Sequence, residues 1–456
     1  MAGEVWEAML NVECSMLNER NAAEVAPASS FNIEHSTFNI QHSESPHSTP
    51  HTLLPYAAMS TVAPLPPPSE RLMALDVFRG ITIAGMLLVN NPGSWGAIYP
   101  PLEHAPWNGW TPTDLIFPFF LFIVGVTTHL SLSKRDPNTL TLKIIRRGLL
   151  IVLAGLLLNA FPFFWWGKMA GIPDPTFLQR VLWRAQHLRF MGVLQRIGIA
   201  YIAAGLLTLR TTAKQQIAIV AALLLGYWFV MTLVPVPGTG TIGYFLLDQP
   251  EKTLAAWSDR LILGTNHIWA STKTWDPEGP LSTIPAIATA MLGIFAGRWL
   301  TDKRRPLLER IAGLYGVGCL GMVAGELWSW VFPINKNLWT SSYVLFTAGF
   351  ACVMLATCLW ILDIHQIRGW ARPFVVYGVN PLVAFVGSGI MARCIDSLFK
   401  ITIDGKKTSL HQASFDAFFS PYFPDKFASL LWGLAFVTFW LGILWLLHRR
   451  NIIVKL

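Results

Sequence analysis

The chain has 456 residues, of which 53% are hydrophobic and only 13% are charged. Soluble domains carry about 25% charged residues, so this composition excludes an ordinary soluble enzyme and predicts an all-α, polytopic bundle of membrane helices. The formal net charge of +8 does not indicate a nucleic-acid partner, because the basic residues fall mainly in short segments between apolar runs. The five cysteines form no CxxC pair and show no metal-ligand spacing, so we predict no metal site.

Residues 1–70 differ in kind from the rest of the chain. They are polar, rich in His, Ser and Pro, and contain the near-repeat FNIEHS and FNIQHS. Because such a composition cannot bury a core, the segment is predicted to be disordered. Met59 begins the stretch MSTVAPLPPPSERL, which is typical of a bacterial start, and is a candidate initiator. Residues 71–456 are predicted to form one transmembrane domain.

About ten transmembrane helices are predicted in this domain, because ten apolar runs each approach the roughly 20 residues that a crossing helix needs. If the N-terminus is cytoplasmic, most Lys and Arg residues fall on the cytoplasmic side, and the even number of spans places both termini there. The predicted spans are 73–90, 113–132, 145–163, 190–209, 215–235, 283–300, 308–327, 341–362, 373–391 and 426–447.

Two charged residues stand at the start of the first span. Asp76 and Arg79 lie three residues apart and therefore on one helix face. This spacing fits an ion pair at a helix end, and it also fits an Arg79 guanidinium that binds an anionic ligand such as a phosphate. The sequence alone leaves both interpretations open.

The loop between the first two spans is where we expect chemistry. A histidine there can take a proton from an amine or hydroxyl, or can carry an acyl group itself. A structural role for a single interfacial histidine is the alternative, since no HExxH, GxSxG or Ser-His-Asp spacing accompanies it. An acid at the head of an apolar helix usually faces protein or water. The candidates in and beside this loop are Asn90, Glu103, His104, Trp107, Asn108 and Asp114.

Three later stretches also carry polar groups in or beside apolar runs. Gln195 and Arg196 lie inside the fourth span, where a buried arginine needs an acid or an anionic ligand as partner. Asp276 and Glu278 precede the sixth span. Asn380 and the proline after it interrupt the ninth, which predicts either a helix kink or backbone groups exposed to a cavity.

Together these segments resemble the transmembrane acetyltransferase family of heparan-α-glucosaminide N-acetyltransferase and its bacterial relatives. The resemblance implies acetyl-CoA as co-substrate, no permanently bound cofactor, and transfer of the acetyl group across the membrane to the amino group of a glucosamine-type sugar or glycan. The motifs that carry it are LDVFRG (75–80), VNNPG (89–93), HAPWNGWTPTDLIFPFFLFIVG (104–125), GVLQRIGIAY (192–201), DPEGPLSTIPA (276–286), INKNLWTSSYVL (334–345) and GVNPL (378–382).

The resemblance also implies roles for single residues. His104 is the expected catalytic residue, and Asn90 is expected close to the acetyl group. On chemical grounds, Asp114 or Glu103 is expected to orient the imidazole. Whether His104 deprotonates the amine or first accepts the acetyl group stays open. Arg79, Gln195 and Arg196 are expected to bind CoA, and the expected substrate-binding residues are Glu103, Trp107, Asn108, Asp276 and Glu278.

The expected setting is the inner membrane of a bacterium, with the acceptor at the periplasmic face and a homodimer possible. A transporter for an amino sugar is the main alternative, because buried polar groups and an interrupted helix also suit transport. Against it, the two halves show no internal repeat and the strongest polar cluster lies at one outer end. A scaffolding protein is a third possibility, which leaves His104, Asp114 and Arg196 unexplained.

Overall fold

The computed structural model describes residues 73–132, 137–165, 167, 169, 172–403 and 405–454. All of them belong to one compact unit, Ser69–Leu456. The segment 1–70, predicted to be disordered, and the candidate initiator Met59 lie outside the described residues.

Helices account for most of the described residues and there is little sheet, which confirms the all-α prediction. Short 3₁₀ turns and a two-stranded antiparallel hairpin, in which Ile401 lies opposite Thr408, join some of them. The helices in these ranges are α1 (Met73–Asn90), α2 (Ile116–Leu132), α3 (Pro137–Ala160), α4 (Phe177–Gln186), α5 (Val193–Arg210), α6 (Ala213–Leu233), α7 (Leu254–Leu263), α8 (Pro280–Leu300), α9 (Leu307–Ser329), α10 (Ser341–Leu359), α11 (Arg372–Val379), α12 (Pro381–Arg393), α13 (Leu410–Phe418) and α14 (Asp425–Arg449). The hairpin strands are β1 (Lys400–Ile403) and β2 (Lys406–Ser409).

Nine helical segments of the described chain are long and apolar enough to cross a membrane, against about ten predicted. The predicted span 145–163 corresponds to α3, which is not among the nine although it has 24 residues. Three basic residues, Lys143, Arg146 and Arg147, stand in its first half. The cytoplasmic position of the two termini stays a prediction.

Close packing of α2 against α8 holds the centre of the bundle. A Cβ atom added to Gly125 would lie 2.0 Å from the carbonyl oxygen of Ala290, and one added to Gly293 would lie 2.1 Å from that of Phe122. Small residues at a crossing let membrane helices approach backbone to backbone. The start of α2 is also tied to α10, because the Tyr343 hydroxyl donates a hydrogen bond to the carbonyl oxygen of Asp114 at 2.5 Å.

The helix break predicted at Asn380 is present, and it separates α11 from α12. The residue has φ −123° and ψ 55°, which are not helical values, and the proline after it has no N–H to continue the helix. The Asn380 side chain donates to the carbonyl oxygen of Ile452 and accepts from the N–H of Val454, both at 2.9 Å. The segment after α14 therefore packs against the break.

Candidate functional site

A main cavity of about 820 Å³ runs through the bundle between α1, α2, α3, α5 and α12. Arg79, near the start of α1, and Asn90, at its end, both line the cavity. The two residues are eleven positions apart on this helix, so the cavity extends for about 16 Å along it. The lining between the two ends is mostly apolar and includes Ile83, Phe120 and Ile123.

His104 and Asp114 meet at the Asn90 end of the cavity. The Nδ1 atom of His104 lies 2.7 Å from Oδ1 of Asp114. The other carboxylate oxygen accepts hydrogen bonds from the backbone N–H groups of Ala105 at 2.9 Å and Thr111 at 3.1 Å. Asp114 is only 1% exposed, whereas the His104 side chain is 49% exposed. An ionised carboxylate can only accept, so His104 donates through Nδ1 and leaves Nε2 as the basic nitrogen.

Lys336 also lies against the imidazole of His104. Its Nζ atom is 3.0 Å from Nδ1, 3.1 Å from Nε2 and 3.6 Å from Oδ1 of Asp114. Burial lowers the pKa of Lys336, and the negative charge of Asp114 opposes that shift. The imidazole thus lies between a carboxylate and an amine, and burial disfavours the charged form of that amine. Lys336 was absent from the sequence-predicted site, although it lies within one of the motifs that carry the resemblance.

Arg189 is a second residue that the sequence analysis missed. Its guanidinium binds Asp276 through two hydrogen bonds, of 2.8 Å from Nε and 2.6 Å from Nη2, and it also binds Glu278. Burial lowers the pKa of Arg189, but the two carboxylates outweigh burial and raise it above its usual value. Asp276 further accepts the N–H of Trp269 at 3.0 Å, so its oxygens are engaged within the protein. Arg189 and Glu278 line the main cavity, and Asp276 supports them.

Arg196 and Gln195 do not line the main cavity. Arg196 is fully buried, with its Cζ atom 4.9 Å from the centre of the Trp339 ring, and it donates to the Ser282 hydroxyl. Its hydrogen-bond partners in the described chain are therefore neutral groups rather than the expected acid or anion. Gln195 instead lines a second, smaller cavity.

Three further residues of the predicted site also lie outside the main cavity. Trp107 donates from Nε1 to the carbonyl oxygen of Leu247 at 2.7 Å, and Asn108 donates to the carboxylate of Asp248. These bonds fasten the His104 loop to the segment before α7. Glu103 is exposed on the same loop.

The opposite end of the main cavity is basic. Arg79 forms the predicted ion pair with Asp76 and donates from Nε to the carbonyl oxygen of Gly378 at 2.7 Å, and it also lines the cavity. Both interpretations of the Asp76 and Arg79 spacing are therefore compatible with its position. Arg147 of α3 lines this end too, with its Cζ atom 5.5 Å from the centre of the Tyr201 ring. The sequence analysis singled out Arg79 but not Arg147.

Among the described residues, no group of three His, Cys, Asp or Glu side chains is placed to hold a metal ion. The site at the His104 end contains an acid, an imidazole, an amine and an amide within one cavity. Such a set is suited to proton transfer and to stabilising a developing negative charge.

Comparisons with known proteins agree on one family. Residues 71–325 match the family described as "Heparan-alpha-glucosaminide N-acetyltransferase, catalytic". The chain is 30% identical over 390 residues to the heparan-alpha-glucosaminide N-acetyltransferase of Mus musculus, a match that covers 73% of this chain and 55% of the relative. The Homo sapiens protein of the same name is 30% identical over 391 residues, with 74% and 55% covered. The chain therefore spans about half the length of these curated relatives.

Proposed function

This chain belongs to the heparan-alpha-glucosaminide N-acetyltransferase family, and we propose that it is a membrane enzyme that transfers the acetyl group of acetyl-CoA to the amino group of a glucosamine-type sugar or glycan. The observation that carries the proposal is the main cavity, which has a basic end at Arg79 and Arg147 and an acid–imidazole–amine set at the other. A donor bound along this cavity brings its acetyl group to His104.

The donor fits the chemistry of the cavity from end to end. Guanidinium groups match phosphate oxygens, so Arg79 and Arg147 are suited to the phosphates of CoA. The apolar middle, which includes Phe120 and Ile123, suits the pantetheine arm. We place the Arg79 end at the cytoplasm, where acetyl-CoA is found, and the His104 end at the periplasmic face of a bacterial inner membrane. A homodimer is compatible with this arrangement.

Nε2 is the nitrogen of His104 that Asp114 does not bind, and Nζ of Lys336 lies 3.1 Å from it. Nδ1 is held by Asp114, so Nε2 takes the proton of the amine while the amine nitrogen bonds to the acetyl carbon. The carbon–sulfur bond breaks, and the proton passes to the thiolate, which gives the acetamide and free CoA. Asn90 and Lys336 line the same end and are suited to stabilise the negative charge that develops on the acetyl oxygen. If the acetyl group passes through a covalent intermediate, Nε2 is again the nitrogen that carries it.

The test measures free CoA released from acetyl-CoA by purified protein in the presence and absence of glucosamine. We expect acceptor-dependent release, and we expect His104→Ala to reduce it at least about 100-fold because the general base is lost. His365→Ala is the matched control, since His365 is exposed beyond α10 and does not line the cavity. Retained acetyl-CoA binding by His104→Ala shows that the variant is folded.

Two outcomes contradict the proposal. If His104→Ala releases CoA at the native rate, the imidazole takes no part in the reaction. Uptake of an amino sugar by vesicles that contain the protein, without acetylation of any amino sugar, favours the transporter instead.

A further inference from the structure

A second cavity, of about 420 Å³, adjoins the main cavity at the His104 end of the bundle. It lies between the final turns of α1, α3 and α12 and the start of α5. The rim at Asp396 and Ser397 is exposed, so the cavity can be reached from that side of the bundle. The two cavities share the wall residues Met86, Asn90, Arg189, Val193, Leu194 and Phe385.

The chemistry of the second cavity differs from that of the main one. Amide and hydroxyl side chains dominate its polar lining, whereas the main cavity is apolar along most of its length. Sugar hydroxyls both donate and accept hydrogen bonds, and amides offer both a donor and an acceptor in return. The amide and hydroxyl residues are Asn90, Asn91, Asn159, Gln195, Ser388 and Ser397.

Gln195 provides an independent sign that a polar ligand belongs here. It lines the second cavity and is 2% exposed, yet its Nε2 atom has no hydrogen-bond partner in the described part of the chain. A buried donor without an acceptor is costly. Because Nε2 is itself buried, the Gln195 side chain must turn toward the cavity for a ligand hydroxyl to accept a hydrogen bond from it. Arg393 also lines this cavity. Its Nη1 atom donates a hydrogen bond to the Gly389 carbonyl oxygen of the same helix, and its other N–H groups can donate to a ligand.

We propose that the second cavity is the acceptor subsite and holds the pyranose ring of an amino sugar, with the amino group directed across Asn90 into the main cavity. This inference rests on the proposed function. Donor and acceptor then occupy separate cavities that meet at Asn90 and Arg189. Gln195 therefore serves the acceptor sugar rather than CoA.

The experiment fills the second cavity without touching the first. Ser388 is 5% exposed and donates its hydroxyl to the Phe385 carbonyl of its own helix, so Ser388→Phe adds bulk without breaking a bond between helices. We expect this variant to raise the KM for glucosamine at least about tenfold and to leave the KM for acetyl-CoA unchanged. Ser420→Phe adds the same bulk at an exposed position that lines neither cavity, and should change neither KM.

A second variant guards against misfolding. Ser397→Trp narrows the opening from an exposed position, where a large side chain does not disturb a core. We expect the same selective rise in the KM for glucosamine. An unchanged glucosamine KM in both Ser388→Phe and Ser397→Trp, with acetyl transfer intact, overturns the subsite.

Calorimetric binding of glucosamine separates this inference from the proposed function, because it needs no turnover. If the native chain binds glucosamine but does not acetylate it, and Ser388→Phe and Ser397→Trp weaken the binding, the subsite holds and the proposed function fails. If the native chain does not bind glucosamine, or if both variants bind it equally well, the subsite is wrong.

Discussion

At the scale of single residues, the imidazole of His104 lies between two groups of opposite charge. Oδ1 of Asp114 lies 2.7 Å from Nδ1, and Nζ of Lys336 lies 3.1 Å from Nε2. The ring is therefore held in place from both sides, which suits a residue that must meet the reacting amine in one orientation.

We predict that Lys336→Met lowers kcat at least about tenfold, because a cation that stabilises the developing oxyanion is lost. A fall in activity at high pH should also disappear in the variant, because burial lowers the pKa of Lys336 and the native chain loses this cation as pH rises. The measurement is a pH–rate profile of CoA release. Lys252→Met is the control, because Lys252 is exposed and lines neither cavity. An unaltered profile would show that Lys336 takes no part in the chemistry.

Asp259 contacts Asp276, which in turn binds Arg189 at the wall of the main cavity. The buried carboxyl of Asp259 also makes the free energy of unfolding depend on pH. Its Oδ2 accepts the N–H of Asp276 at 2.9 Å, while Oδ1 has no hydrogen-bond partner among the described residues. Burial raises the pKa of Asp259 from 3.8 to about 7. The folded state then binds the proton more tightly than the unfolded state, so the free energy of unfolding decreases as pH rises from about 4 to about 7. The full shift corresponds to at most about 4 kcal/mol.

Asp259→Asn should therefore flatten this pH dependence, because the amide cannot ionise. The thermal unfolding midpoint of the native protein in detergent is expected to fall between pH 5 and pH 7.5, and that of the variant to fall less. Asp174→Asn, at an exposed position, should keep the native slope. Equal slopes for Asp259→Asn and the native chain would contradict the assignment.

At the scale of helices, glycines allow two helix backbones of the bundle to approach each other closely. The crossing of α2 and α8 leaves no room for a side chain at Gly125 or Gly293, since an added Cβ atom would reach a backbone carbonyl oxygen of the other helix. Helix α2 also begins two residues after Asp114, whose carboxylate binds His104. The crossing therefore sets the position of one wall of the main cavity.

We predict that Gly293→Val lowers the free energy of unfolding by at least about 1–3 kcal/mol, because the two backbones must move apart. Gly442→Val is the matched control, as nothing lies within 4 Å of a Cβ atom at that position in α14. Thermal unfolding in detergent compares the two. Similar midpoints would mean that α2 and α8 are not packed so closely.

At the scale of the whole molecule, the two ends of the main cavity differ in chemistry, with Arg79 and Arg147 at one end and His104, Asp114 and Lys336 at the other. We predict that Arg147→Gln raises the KM for acetyl-CoA about threefold to tenfold and leaves the KM for glucosamine unchanged, since a phosphate contact is lost at the basic end. Arg146→Gln removes the same charge from an exposed neighbour that does not line the cavity. Equal effects of the two substitutions would point to general electrostatic attraction rather than to a binding site at Arg147.

Composition and apolar run length were enough to predict the fold class, because a membrane forces each crossing segment to satisfy its own backbone hydrogen bonds. Local motifs likewise identified the family and brought attention to His104 and Asp114, which lie ten residues apart. The contact between Lys336 and His104 joins residues 232 positions apart, and no local spacing could predict it. Tertiary structure also decided which arginine in an apolar span faces the main cavity. Arg79 does and Arg196 does not, because helix packing sets which side of each helix meets the cavity.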